Sequence, residues 1–567
     1  MSPSMFSCAN GPKASELDVA TGWGDLGSAK AMLEKHWDTW ITEEDFAWLQ
    51  KIGINTVRIP IGYWSLGANY CLDTPFQNIS EVYEKSWSRV LRAISWASKY
   101  NIGVLIDLHG APGSQNGQPH AGTSDGKIQL FGNEENVKKT IAALSHLTRQ
   151  LVTVSNVVGI QILNEPQNIP LLPEFYNRVL GVLRKTSPEA ARFPFYIHDG
   201  FDPVQFSKYV GRRKDFVVQD HHSYFVFTPE DSSRPVGDHI SNVNTSISSF
   251  LVATSKRARH NLVIAEWSCA LTPGSLSKLP NGVTRQAARH SFCSTQSSVY
   301  LSTTAGWSFW SYKTENCDSE EGWCFRKAVG RSLPSKFSVW DNHNEGGKAE
   351  HSDGGKQDFH VDLGRTVSDQ KSLHFVLIQI RQEPVQFAAE LQAEGNFRNL
   401  RLEGESVATP INGKLPPVDP RLNRREQRLN NTIANKPYAN DRDRSSVGSS
   451  VNLPVIPRKI GFRVGSSGSA AVPWTVRRSR EKTWTTSLGY QNGYAAAFTF
   501  ASFQGSRLGF KNQYMEDTLA ALASSKSIKP GDEGAYRKDF MNGLAEGERK
   551  VEQAIARGAT VADAQSF

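Results

Sequence analysis

Long apolar runs are missing from this chain. No stretch of its 567 residues approaches the ~18 apolar positions that a membrane-spanning helix needs, so no membrane partner is expected. The opening MSPSMFSCANGPK has no apolar core of the signal-peptide kind, so the sequence as it stands offers no secretion leader and fixes no compartment. Cysteine is scarce. The six are Cys8, Cys71, Cys269, Cys293, Cys317 and Cys324, with no CxxC and no Cys/His spacing of a zinc site, so no metal is expected. Their even number permits disulfides without demanding them. Cys317 and Cys324 bracket a short loop and are the first pair to test. A Gly-rich phosphate loop after the first strand is also absent, which argues against a doubly wound dinucleotide-binding sheet.

Excess charge is confined to one place. The net charge is +8, but residues 421–482 hold fourteen Lys/Arg against four Asp/Glu, which leaves the rest of the chain at −2. That segment carries no nucleic-acid-binding motif, so a solvated basic linker is expected and nucleic acid is not an expected partner. Aromatic residues are plentiful, with 14 Trp. Trp faces stack on sugar C–H faces, and they also simply fill large cores.

Between residues 40 and 337, short apolar runs alternate with helical patterns. The runs 56–61, 103–109, 157–164, 193–197, 216–220, 262–266 and 306–310 read as strands, with helices such as 43–52 and 82–99 outside them. Near-continuous apolar strands separated by helices mean a parallel sheet, and this number of them points to an α/β (β/α)8 TIM barrel. Residues 1–40 offer no eighth strand. The first strand is therefore expected to be missing from the chain as written, which would leave two unpaired edges and an open core. After 337 the texture turns polar. The expected division is a catalytic unit over 1–337, a low-order basic linker over 338–489 with one short apolar run at 375–380, and a helical C-terminal extension over 490–567. The extension's helices are expected at 495–503, 514–523 and 536–557. Gly543 and Gly547, four apart, are placed to allow close helix contact.

In a parallel barrel, chemistry sits where strands end. One apolar run leads into Asn164-Glu165-Pro166, and another ends at Glu266. Two carboxylates brought about 5–5.5 Å apart support double displacement with retention at a sugar. Arg58 is a cation inside an apolar strand and needs a buried anion, for which a nucleophilic carboxylate is suited. His109 ends one strand, His221, His222 and Tyr224 end another, and Trp310 ends the last.

The stretches HWDTWITEEDFAWLQKIGINTVRIPIGYW, LIDLHGAPGSQNGQPHAGTSDG, VVGIQILNEPQN, DHHSYFVF, VIAEWSCALT and GWSFWSYKTEN make residues 36–337 resemble glycoside hydrolase family 5, and within it the fungal exo-β-1,3-glucanases. The resemblance implies a retaining enzyme that releases glucose from the ends of β-1,3-glucan, in fungal cell-wall metabolism, without cofactor and as a monomer. It implies Glu165 as acid/base and Glu266 as nucleophile. Asn164 would bond the sugar 2-OH, Arg58 and Tyr224 would orient Glu266 and keep it ionised, His109 and His222 would touch the sugar, and Trp310 would line its subsite. The acid/base should have a raised pKa while the sugar is bound, and the nucleophile a low one. The family is extracellular, and its Gly-rich first strand would lie upstream of Met1. The sequons at Asn78 and Asn244 lean towards secretion only weakly. An endo- or β-1,6-glucanase on the same scaffold, and a non-catalytic β-glucan-binding protein with an incomplete barrel, remain as alternatives.

Overall fold

Each apolar run becomes a parallel strand with one face on the outer helices and one face inward. The computed structural model describes residues 3–319, 322–337, 487–501 and 510–557. The 375–380 run and the basic 421–482 segment lie outside the described residues. The strands are β1 (Thr56–Gly62), β2 (Gly103–Gly110), β3 (Val157–Gln161), β4 (Phe195–His198), β5 (Val217–Ser223) and β6 (Leu262–Trp267), side by side in chain order. Residues 306–310 add a seventh parallel track. The Ile264 N–H donates to the Gly306 carbonyl, the Ser308 N–H to Ile264, and the Trp310 N–H to Trp267. All seven expected runs are thus in the sheet.

Helices cover the outer face between strands. The one at Glu134–Leu151 shows the local logic. Asn133 accepts from the N–H groups of Glu135 and Asn136 and caps it, two glutamates occupy its first turn, and Leu144, Leu147 and Leu151 are fully buried on the sheet side. The inward face is layered. At the strand starts Leu105, Val158, Tyr196, Val218 and Val263 form an apolar floor. Gly159 is needed there, because a Cβ would lie 2.3 Å from the Tyr196 ring. One residue pair higher the inward positions turn polar, with Arg58, Asp107, Gln161, His198 and Asp220 all partly or fully buried.

The fold is an incomplete (β/α)8 barrel, and among the described residues its sheet does not close. Residues 3–40 hold a short turn, α1 (Glu16–Thr21) and α2 (Leu26–Thr39), with no strand among them. The two sheet edges are nevertheless tied by side chains and loops. The Phe337 N–H donates to Ile52 at 2.7 Å, just before β1, while its ring packs on Trp307. Higher up, Asp45 of α3 (Glu43–Lys51) accepts from Tyr312 at 2.8 Å, Lys313 at 3.0 Å and Arg326 at 2.9 Å. It also caps its own helix by accepting from the Thr42 N–H at 2.9 Å.

Disulfides join Cys317 to Cys324, the pair the sequence put first, and Cys269 to Cys293, which its spacing did not single out. Cys8 and Cys71 are free thiols. The C-terminal helices are Leu488–Ala501, Lys511–Ser524 and Glu533–Ala556. The first begins earlier than its sequence suggests, because Gly489 and Gly493 are contact glycines and not breakers. A Cβ on Gly493 would lie 1.9 Å from the Phe540 carbonyl, and one on Gly543 would lie 2.0 Å from that of Tyr490. The expected close approach at Gly543 and Gly547 is therefore present, and it is reciprocal. Phe510 leads into the second helix and packs into the barrel floor against Tyr196 and Phe216.

Replacing Asp45 with Ala strands two cations and a phenol and uncaps α3. Chemical denaturation should show a loss of about 3 kcal/mol, and a loss within error would mean that the edge tie is cosmetic.

Candidate active site

The polar layer is organised by Arg58. Its side chain is 3% exposed, and burial alone would weaken its charge, but the carboxylates of Asp107, Glu266 and Asp220 raise its pKa instead. Nε donates to Gln161 at 2.9 Å, Nη1 to Glu266 Oε1 at 2.8 Å and Nη2 to Asn164 Oδ1 at 2.8 Å, and Nη2 also forms an ion pair with Asp107 Oδ2 at 2.9 Å. The other Glu266 oxygen accepts from the Tyr224 hydroxyl at 2.9 Å. Both oxygens of Glu266 are therefore held, one by a cation and one by a neutral donor. Burial, then the neighbouring Glu266 charge, push the Tyr224 phenol well above its ordinary value, so it stays a donor.

Glu165 stands opposite, just past the end of β3, with φ 41°. His222 connects the two glutamates. Its Nδ1 is 2.6 Å from Glu165 Oε1 and 3.3 Å from Glu266 Oε2, so these two oxygens lie no more than about 6 Å apart. Its Nε2 is 3.1 Å from Asp220, which also accepts from Gln161 at 2.8 Å and from the Ala265 N–H at 3.0 Å. Burial opposes a charge on His222, but Glu266, Asp220 and the hydrogen bond to Glu165 overcome it and raise its pKa well above the ordinary value.

The same contact sets Glu165. Burial would raise its carboxyl, yet the hydrogen bond and charge of His222 outweigh burial and bring it down to about 2. This direction is opposite to the one expected with sugar bound, and its cause is the charge on His222, which the sequence marked as a sugar contact and not as the partner of Glu165.

The remaining candidates lie at the same mouth. His109 is 2.8 Å from Asp107 and stacks on Trp310 with ring centres 5.7 Å apart, which joins β2 to the seventh track across the gap. Asn164 uses its oxygen on Arg58, so its amide nitrogen is left to donate towards the cleft, where it lies 3.5 Å from His109 and 3.4 Å from His120. All eight expected site residues are thus brought together in one connected cluster at the strand ends. His221 is not. It turns away to Asp199 at 3.0 Å.

Sequence reasoning missed His120, Gln115, Asp107, Gln161, Asp220 and His198. His120 sits on the loop after β2, 3.7 Å from Glu165, and burial followed by the nearby His109 bring its pKa down to about 4. Gln115 donates to the carbonyls of His109 and Asn164 at 2.7 and 2.9 Å and fixes two rims together. The available signal was the one that marked Arg58, an ionisable residue inside an apolar strand, and Asp107 and Asp220 carry it too.

Among the described residues, Glu165, His198 and His222 have atoms close enough to share a metal ion. The set fits one poorly. The Gly200 N–H donates to His198 Nδ1 at 3.0 Å, so the His198 proton lies on Nε2, and neither ring nitrogen keeps a free lone pair to offer.

His222→Gln keeps a donor but removes the charge. A carboxyl-carbon NMR titration should then show Glu165 rising from about 2 by one unit or more, while an unchanged value would refute the assignment of cause. Because the native value is depressed, this carboxylate stabilises the fold above about pH 4, and the contribution is lost as the pH falls towards 2. The His222 contribution runs the other way. It is present below about pH 6.5 and is lost as the pH climbs through the raised value.

Residues 27–192 match the sequence profile of Cellulase (glycosyl hydrolase family 5). The chain is 33% identical over 327 residues to "Glucan 1,3-beta-glucosidase 3" of Schizosaccharomyces pombe, covering 56% of this chain and 67% of that protein. It is 34% identical over 348 residues to "Glucan 1,3-beta-glucosidase" of Kluyveromyces lactis, covering 54% of this chain and 76% of that protein. A solved rutinosidase from Aspergillus niger superposes with a TM-score of 0.45 at 17% identity, covering 58% of this chain and 92% of that one. On these sequence matches, the chain belongs to glycoside hydrolase family 5.

Proposed function

We propose that the chain is a glucan exo-1,3-β-glucosidase that releases glucose from the ends of β-1,3-glucan by double displacement. The observation that supports this reading is the Glu165/Glu266 pair, bridged by one imidazole, in a chain whose relatives bear the name glucan 1,3-beta-glucosidase. We assign the chemistry to residues 1–337 and give no catalytic part to 338–489 or 490–567.

The steps follow from what each group holds. Glu266, gripped by Arg58 and Tyr224, is the nucleophile and attacks the anomeric carbon. As the bond to the leaving oxygen breaks, Glu165 gives that oxygen its proton, and an ester joins glucose to Glu266. Water then attacks the same carbon, Glu165 takes the water proton, the ester bond to Glu266 breaks, and glucose leaves with its β configuration. Asn164, with its oxygen committed to Arg58, donates its amide N–H to the sugar 2-OH. His109 stacked on Trp310 forms a wall for the sugar, and His222 contacts it between the two carboxylates.

The open sheet favours a second reading, a β-glucan-binding protein without turnover. One assay separates the two. The purified full chain should release glucose alone from a linear β-1,3-glucan, with the β anomer first in the NMR spectrum. Glu266→Gln should lose more than about 10³-fold. Oligosaccharide products would mean endo action, an α-anomer first would exclude double displacement, and binding to insoluble glucan with no release would establish the second reading.

A further inference from the structure

One buried group in the cavity has no use in the mechanism above. His198 ends β4, is fully buried, and lies with its ring centre 4.4 Å from that of His222. Its Nδ1 is occupied by the Gly200 N–H, and its Nε2 has no hydrogen-bond partner. That Nε2–H is an orphan donor, a costly thing to bury and one that marks a place where an acceptor comes and goes. The acceptor in its neighbourhood is Glu165, a carboxylate oxygen of which lies within 4.8 Å of a His198 ring nitrogen.

Glu165 already has a donor in His222 Nδ1–H. That nitrogen also lies 3.3 Å from Glu266 Oε2, and a short bond to one carboxylate weakens its hold on the other. Two arrangements are therefore open to the site. In the one seen, His222 holds Glu165 and leaves Glu266 to Arg58 and Tyr224. In the other, His222 turns to Glu266, and Glu165 needs a new donor. We propose that His198 is a positioning residue for Glu165, whose Nε2–H takes over that carboxyl group when His222 turns to Glu266. The proposal rests on the reading of Glu165 as acid/base.

The exchange has a chemical purpose. An imidazolium beside Glu165 holds its proton off, whereas a neutral N–H orients the group and lets it keep a proton to give. His198 is suited to neutrality. Burial, followed by the nearby His222 charge, brings its pKa down to about 4, although Asp199, Asp220 and Glu165 face it. Asp199 is drawn off by His221 and Gln219, Asp220 by His222 and Gln161, and the Tyr176 hydroxyl packed beneath bonds only the His198 carbonyl.

The test compares kcat/KM on laminaribiose, whose leaving sugar needs a proton, with that on 2,4-dinitrophenyl β-glucoside, whose phenolate does not. His198→Phe should lose about 10-fold on the disaccharide and less than about 2-fold on the aryl glucoside. Its alkaline limb on laminaribiose should move to lower pH, because Glu165 then keeps its cationic partner. His198→Gln, which restores a donor, should recover the disaccharide rate to within about 3-fold of the parent. Equal losses on both substrates, or no loss, would overturn the proposal. Glu165→Gln is the control. If it too fails to discriminate between leaving groups, the acid/base reading has failed, and not only the role of His198. Should the variants not fold, nitrogen NMR of histidine in the parent decides the point. Nε2 of His198 must carry a proton, and that proton must move downfield when a glucose-like iminosugar fills the site.

Discussion

A guanidinium sealed inside a parallel sheet is the constraint on which the rest of the site depends. Such a charge costs several kcal/mol unless acceptors and opposite charges surround it. Arg58 finds hydrogen-bond acceptors on β3, the turn after β3 and β6, and an ion-pair partner on β2. Its planar fork therefore fixes where those strand ends stand relative to β1, at the open edge of the sheet. Glu266 is oriented by one arm of the fork. Asn164 is turned by another, so that its amide nitrogen faces the cleft. The charge lattice continues through Gln161 and Asp220 to His222, and from there to Glu165. The two glutamates are thus separate along the chain but belong to one buried electrostatic assembly.

How much of this could be read from residues alone depended on the layer. The outer face was legible because apolar runs of strand length are a strong signal, and all seven runs lie in the sheet. The rim was legible because polar residues follow those runs directly. The middle layer was not. Asp107 and Asp220 sit inside runs such as Leu105–Leu108, where a lone carboxyl is easily passed over as an exception within packing, and Gln161 and His198 carry no charge to announce them. The protonation of Glu165 was illegible for a different reason, since it is set by His222, which is distant in sequence and 2.6 Å away in space. The C-terminal helices were seen but started late, because glycine reads as a breaker until the partner that needs its missing side chain is known.

An unclosed sheet poses two problems, unpaired edges and an unfilled interior. The edges are managed here by contacts that are not strands, namely Phe337 on Ile52 and Trp307, Asp45 with its three donors, and the stack of His109 on Trp310. The interior is managed from below. Phe510 arrives from the far end of the sequence to fill the floor, and the Asn261 amide binds Gln513 beside it. Water is thereby kept from the strand starts, and the polar layer above keeps the low dielectric on which its hydrogen bonds depend.

The backbone at Glu165 carries one last consequence. A φ of 41° lies in the left-handed region that glutamate, unlike glycine, enters at a cost of about 1–2 kcal/mol. Nothing in the folding of the strand requires that residue type there. Glycine after Asn164 would relieve that cost but would leave no side chain to meet His222, so the strain is what it takes to hold a carboxylate 2.6 Å from that imidazole at this turn.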